Sequence, residues 1–395
     1  MINKLIEELC PNGVAYITLS KLFITKNGYT PSKNKKEYWV NGTIPWFRME
    51  DIRENGRILC TSLQYVSKDA IKGEIFPANS IIVSTSATIG EHALLTVESL
   101  ANQRFTYLIL RKEYKKLFNI KFLFYYCFNL DKYCLAHLNK GNFASVDMTM
   151  FEKFKFPIPP LLVQNEIVRI IDNFTELTAE LTAELTARKK QYEYYRNHLL
   201  QFDSNIDRIQ LGEIGPVCMC KRILKTQTNT IGGVPFYKIG TFGKEADAYI
   251  DVKTFDEYRE KYNFPKKGDI LISAAGTIGR TVVYDGKPAY FQDSNIVWID
   301  NDETKILNRY LYYCYEMKPW NVSTGGTIAR LYNDNILKAT IPAPSLEEQK
   351  RIVSILDRFD KLCNDISEGL PAEISARQKQ YEYYRDNLLS FKEKK

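Results

Sequence analysis

At 395 residues, with 45% apolar and 26% charged side chains and a formal net charge of +7, the chain is too long for a single comfortable core and too apolar to be disordered. Its charge is mild for a nucleic-acid binder and decides nothing by itself. The longest apolar run, residues 122–128, is far short of a membrane span, and eight scattered cysteines lack any CxxC pair, so no membrane partner, a cytoplasmic location and buried reduced thiols are expected.

From the amino terminus to about Lys155, short β-branched and aromatic runs such as Ser80-Ile-Ile-Val-Ser84 and Tyr107-Leu-Ile-Leu110 alternate with Gly, Asn and Pro. One helix-like stretch lies around residues 117–126, so this part predicts an α+β domain. Phe156-Pro-Ile-Pro-Pro160 ends it, and residues 164–202 then carry helical periodicity without Gly or Pro. A second α+β region runs to Ala339, stops at Ile341-Pro-Ala-Pro344, and passes into another helical stretch. The expected organisation is a domain over 1–155, an arm over 156–203, a domain over 204–340 and an arm over 341–395.

The arms repeat each other. Arg188-Lys-Lys-Gln-Tyr-Glu-Tyr-Tyr-Arg196 returns 189 residues later as Arg377-Gln-Lys-Gln-Tyr-Glu-Tyr-Tyr-Arg385, eight of nine letters identical. That period exceeds those of solenoids and implies a duplicated domain with internal pseudo-two-fold symmetry. The globular halves align more loosely: Thr88-Ile-Gly90 answers Thr277-Ile-Gly279, and Gln103 answers Gln292. Whatever the arms touch is therefore alike in the two halves, and whatever the domains touch differs.

The first arm steps through Ile167, Ile170, Phe174, Leu177, Leu181, Leu185, Arg188, Tyr192, Tyr195, Leu199 and Phe202, a heptad seam with one extra four-residue step. The second steps through Ile352, Ile355, Phe359, Leu362, Ile366, Leu370, Ile374, Arg377, Tyr381, Tyr384, Leu388 and Phe391, with a kink expected at Gly369-Leu-Pro371. Two amphipathic helices, each lying on its own domain, are the alternative to helices packed on each other. Thr178-Ala-Glu-Leu-Thr-Ala-Glu-Leu185 repeats a four-residue unit of good helix formers that can be gained or lost without breaking the seam.

Two diverged α+β domains alternating with near-identical long helices, each helix entered through a Pro-rich stop and a glutamine (Gln164, Gln349), resemble the specificity subunit of type I restriction-modification enzymes across essentially the whole chain. The resemblance implies two target-recognition domains, each reading half of an asymmetric bipartite site on double-stranded DNA. It also implies an antiparallel coiled coil that sets the gap, with Leu177, Leu181, Leu185, Tyr192, Tyr195, Tyr381, Tyr384 and Leu388 at the helix or subunit interfaces. The implied partners are two modification (methyltransferase) subunits and restriction (helicase-nuclease) subunits. AdoMet would sit on the former, ATP and Mg on the latter, and no cofactor on this chain. The second arm departs from the pattern in lacking the four-residue repeat.

The chain shows no phosphate loop, no Asn/Asp-Pro-Pro-Tyr/Phe loop and no Gly-rich AdoMet turn, and its three histidines are dispersed, so a non-catalytic role is expected. Candidate DNA contacts are the loop residues Lys33, Lys35, Lys36 and Arg48, with Lys221, Arg222, Lys225 and Lys238 in the second domain. The small polar loops add Ser86, Thr88, Gly90, Thr277, Gly279 and Arg280, either for phosphate approach or as tight turns of the fold. Asn142, Thr327 and Arg330 precede the arms at equivalent places. A coiled-coil adaptor without DNA specificity is the rival reading, and salt-sensitive duplex binding separates the two.

Overall fold

The computed structural model describes residues 2–139, 144–202, 206–322 and 330–394. The chain divides into two compact units, Met1–Glu180 with Ser375–Lys395, and Leu181–Ile374. The first contains α1 (Ile2–Leu9), β1 (Ala15–Thr18), α2 (Leu19–Leu22), β2 (Phe23–Asn27), β3 (Ile44–Phe47), α3 (Met49–Asn55), β4 (Ile58–Leu59), β5 (Tyr65–Val66), β6 (Ser80–Ser84), β7 (His92–Leu95), β8 (Leu100–Ala101), β9 (Phe105–Leu110), α4 (Ile120–Ala136), α5 (Met148–Lys153), β10 (Lys155–Ile158) and the start of α6 (Leu161–Leu200). The second takes the rest of α6, then β11 (Arg208–Gln210), β12 (Val217–Cys218), β13 (Val234–Tyr237), β14 (Tyr249–Ile250), α7 (Val252–Lys261), β15 (Ile270–Ser273), β16 (Thr281–Val283), β17 (Tyr290–Phe291), β18 (Ile296–Ile299), α8 (Asn308–Glu316), α9 (Asn333–Leu337), β19 (Thr340–Pro342) and α10 (Leu346–Asn364). α11 (Leu370–Leu388) begins in the second unit and ends in the first.

One topology serves both units. The first has strand orders β2-β9-β6-β7-β4, β5-β3-β8 and β1-β10, and the second β12-β18-β15-β16, β14-β13-β17 and β11-β19. In each, a parallel contact, β3 with β8 or β13 with β17, stands apart from a larger ladder that is antiparallel except where the edge strand β4 joins β7. The ladder strands read as unbroken apolar runs because both faces are covered. Ile81 and Val83 enter one core cluster and Ile82 another; Ile270 and Ile272 enter one and Leu271 another.

Each arm leaves its domain through the same latch. Gln164 is fully buried; its Nε2 donates to the carbonyls of Leu117 and Pro159 at 2.9 and 2.8 Å, and its Oε1 accepts the Asn119 amide at 2.9 Å. Gln349, equally buried, donates to Lys305 and Pro344 and accepts the Leu307 amide, all at 2.9 Å. Two turns further on, Asp172 takes Lys121 and the Tyr125 hydroxyl, and Asp357 takes Arg309 and the Tyr313 hydroxyl. Burial, and then the carboxylate each phenol donates to, push both tyrosines well above their ordinary titration range.

α6 is a continuous helix of 40 residues, as expected of a Gly- and Pro-free stretch. Its threonines 175, 178 and 186 donate to carbonyls four residues back, so these hydroxyls are satisfied on the helix itself. The second arm corrects the expected kink: it breaks into α10 and α11. Asp365 accepts from the amides of Ser367 and Glu368, and a Cβ at Gly369 would lie 2.6 Å from the Lys361 carbonyl oxygen. Pro371, whose ring forbids a mid-helix position, falls in the first turn of α11, where no amide is needed. The seam residue Ile366 is consequently 86% exposed, and the fully buried Cys363 takes over the inward face.

Candidate DNA interface

The two copies of the repeated motif occupy equivalent places in their own units. In the second unit Tyr192 donates to Glu316 at 2.8 Å, Arg196 pairs with Glu316 at 3.1 Å, and Tyr195 stacks on Phe359 at 5.3 Å. Burial raises the Cys363 thiol while the nearby Lys189 and Arg188 charges oppose the shift; with Phe359 beside Tyr195 and Cys363 beside Lys189, α6 and α10 run antiparallel there. In the first unit Arg385 lies over Tyr381 and over Phe128, which takes the place of Glu316, and Tyr384 stacks on Phe174 at 5.3 Å. Leu388 is buried in the first unit's core. Leu177, Leu181 and Leu185 are half-buried among mostly exposed neighbours, a stripe along α6. Tyr194 and Tyr383, one position before the stacked rings, are the most exposed tyrosines, at 64% and 66%.

In the first unit β3 and β8 end side by side, the Asn102 amide donating to the Phe47 carbonyl at 3.0 Å. The residues after those ends, Arg48 and 102–104, border a cleft of about 520 Å³ with Trp39 and Trp46 in its wall and Lys33 and Lys36 on its loop side. Lys33, Lys36 and Arg48 are thus brought together, while Lys35 donates to the Tyr38 hydroxyl beside them at 3.1 Å. Arg48 lies over the Trp46 ring, and its backbone amide donates to the buried Asp51, which also accepts Ser62 and the Leu63 amide. Ser86, Thr88 and Gly90 do not line this cleft. They belong to the turn between β6 and β7, where Ser86 pairs with Ser145; Gly90 has φ +88° and a Cβ would meet Leu135 at 2.9 Å, so the fold itself requires this glycine. Asn142 lies outside the described residues.

In the second unit Lys238 follows β13 as Arg48 follows β3. The Gln292 amide donates to Tyr237 as Asn102 does to Phe47, so Asn102, and not Gln103, is its counterpart. The constant offset fails because the chain from the start of β16 to the start of β17 is one residue longer than that from the start of β7 to the start of β8, so Leu100 already answers Tyr290. Here the cations are engaged: Lys238 pairs with Asp247 and Arg222 with Asp293, both at 2.8 Å. Arg280 donates to the Phe242 carbonyl and Arg330 to that of Ser294. Lys221 lies over the Tyr262 ring, and Lys225 is exposed. Thr277 accepts from Ser273, and Gly279, at φ +76°, packs bare against Trp320. Thr327 lies outside the described residues.

Among the described residues no group of three or more His, Cys, Asp or Glu is placed to hold a metal ion, and no helix is long and apolar enough to cross a membrane. Burial pushes the thiols of Cys134, Cys220 and Cys314 up to about 12, far from the reactive thiolate form. Sequence reading missed Trp39, Glu50, Asn102 and Arg104, which join the cleft only when β3 and β8 pair. A polar run directly after a short apolar strand, at residues 102–104, was the available signal.

Two α+β domains of one topology, served by arms of one sequence yet carrying unlike polar groups at equivalent strand ends, define a duplicated recognition protein. The chain belongs to the family described as the type I restriction modification DNA specificity domain, whose model matches residues 11–188 and 204–376. It is 43% identical over 383 residues to the type I restriction enzyme EcoprrI specificity subunit of Escherichia coli, covering 90% of each chain. A putative type I restriction enzyme specificity subunit of Haemophilus influenzae is 55% identical over 285 residues, 70% of this chain and 74% of that one. The fold is similar to a solved structure of the type I R-M system (TM-score 0.61, 16% identity, 96% and 98% coverage) and to the S subunit from M. genitalium (TM-score 0.51, 15% identity, 95% of each chain).

Proposed function

We propose that this chain is the sequence-reading subunit of a type I restriction-modification complex. Each domain reads one half of an asymmetric bipartite site on double-stranded DNA, and the arms hold two modification subunits, to which restriction subunits are added. The observation that carries this is the contrast between Arg48 over Trp46, beside an open cleft, and Lys238 tied to Asp247, at the same strand position in two otherwise equivalent domains. Two copies of one reader would need no such difference. The chain itself is non-catalytic, binds no cofactor and works in the cytoplasm; AdoMet belongs to the modification subunits and ATP with Mg to the restriction subunits. Purified alone, it is expected to incorporate no tritium from labelled AdoMet into DNA and to leave DNA uncut, and to support sequence-specific methylation once its modification subunits are added. Methyl transfer by the chain alone would refute this. Duplex binding that weakens steeply with salt separates a DNA reader from a coiled-coil adaptor.

The repeated tyrosines divide into two jobs. Tyr195 and Tyr384 stack within the chain, so Tyr195→Ala with Tyr384→Ala is expected to lower stability by about 1 kcal/mol per ring pair, beyond the buried area lost. Tyr194 and Tyr383 offer their rings to solvent on both copies, as suits two identical partners. Tyr194→Ala with Tyr383→Ala removes only exposed edge and His198 ring contacts, and is expected to lower the melting temperature less than the Tyr195 and Tyr384 pair does and to weaken the 2:1 assembly in native mass spectrometry. Loss of stability without loss of assembly would reverse the assignment.

A further inference from the structure

We propose that Arg48 and Glu50 together read one G·C base pair through its major-groove edge. This rests on the reading of the chain as a DNA specificity subunit and names the groups that do the reading in its first domain. A G·C pair presents two acceptors, N7 and O6 of guanine, followed by one donor, N4 of cytosine. A guanidinium supplies the two matching donors in one plane, and a neighbouring carboxylate supplies the acceptor.

Arg48 and Glu50 form such a combination, with Nε of Arg48 4.0 Å from Oε2 of Glu50. The guanidinium lies over the Trp46 ring, 5.6 Å from its centroid, which fixes its plane before any ligand arrives. Its Nε is buried without a hydrogen-bond partner, so the two donors offered to a base are the terminal Nη1 and Nη2, which make no hydrogen bond among the described residues. Both side chains line the cleft. Their backbone is held by Asp51, fully buried, which accepts the Arg48 and Leu63 amides at 2.7 and 2.6 Å.

The other polar groups of the cleft fit this base pair less well or fit a different task. An amide that reads adenine must accept from N6 and donate to N7 at once. The carbonyl oxygen of Asn102 already accepts the Arg104 amide at 3.0 Å, and that of Gln103 the Thr30 hydroxyl at 2.5 Å, so each amide is oriented by a bond within the protein and has one of its two lone pairs engaged. A phosphate is disfavoured beside Glu50 because the carboxylate repels it, whereas the exposed Lys33 and Lys36 suit the phosphate backbone. At the equivalent position of the second domain Lys238 lacks the planar fork and is paired with Asp247, so the second half-site is read by other means.

Methylome sequencing of cells carrying the full chain and its modification subunit tests the assignment with wild type, Arg48→Ala, Arg48→Lys and Glu50→Ala. All three variants are expected to lose discrimination at one G·C position of one half-site by about tenfold or more, with the other half-site and the gap unchanged. Arg48→Lys is the informative variant because it keeps the charge and loses the fork. An unchanged motif with uniformly reduced methylation would mean that Arg48 contacts phosphate and would overturn the proposal. So would relaxation in both half-sites. If Arg48→Ala fails to accumulate, Glu50→Ala decides, since Glu50 is 57% exposed at its side chain and no core group depends on it. A wild-type chain that yields no bipartite motif would overturn the specificity-subunit reading, and this assignment with it.

Discussion

Deleting residues 182–185 is expected to shorten the gap between the two half-sites by about one or two base pairs and to leave the half-site bases unchanged. The deleted unit lies in the interior of α6, a helix of 40 residues without a break. Removing four residues takes out about 6 Å of helix and turns the remainder of α6 by only about 40°, because 3.6 residues make one turn. The half-buried stripe survives: Thr186 would come directly after Leu181, and the pattern of Thr, Ala and a seam residue would resume. DNA rises about 3.4 Å per base pair, so 6 Å corresponds to the stated change. The second arm has no matching unit to lose, and its turn at 365–369, where α10 has already ended and α11 has not yet begun, is the place where a change of length is absorbed most cheaply. Methylome sequencing of the deletion strain reads the result directly. An unchanged gap, or altered half-site bases, would mean that α6 does not set the separation.

Replacing either latch glutamine by leucine is expected to cost about 3 kcal/mol or more. Gln164→Leu strands the Asn119 amide and the Leu117 and Pro159 carbonyls in a site where the side chain had no solvent exposure, and each buried polar group left unpaired costs about 1–3 kcal/mol. Gln349→Leu strands the Leu307 amide and the carbonyls of Lys305 and Pro344 in the same way. For a cooperative unit of this size that is a drop of roughly 6–12 °C in melting temperature. Thermal unfolding followed by circular dichroism checks it. A shift below about 2 °C for both variants would show that the latch is satisfied by water and does not anchor the arms.

The sequence could display these glutamines only as the second half of a Pro-rich stop. Their meaning depends on loops at 117–119 and 305–307, more than forty residues away, which present one amide and one carbonyl to each. The same holds for the tyrosines. Helical spacing placed Tyr195 and Tyr384 on the seam, where they are found stacked, but spacing could not distinguish Tyr192, which reaches Glu316, from Tyr194, which reaches solvent. Lys33, Lys36 and Arg48 were legible as loop cations. Glu50 was not, because an acidic residue at a helix start is ordinarily there for the helix dipole.

By itself the sequence determined the duplication, the alternation of α+β domains with helical arms, and the uninterrupted first arm. These arise from local periodicity, from Pro and Gly punctuation and from literal repetition, all of which act over a few neighbouring residues. Only the tertiary structure decided that the second arm breaks at 365–369, that Gln292 answers Asn102, and that each motif copy docks on a different surface in its own unit, Glu316 in one and Phe128 in the other. It also decided that Arg48 faces an open cleft while Lys238 is neutralised by Asp247. Those outcomes depend on burial and on partners brought together by strand pairing across long stretches of chain, and no local pattern encodes which partner will arrive.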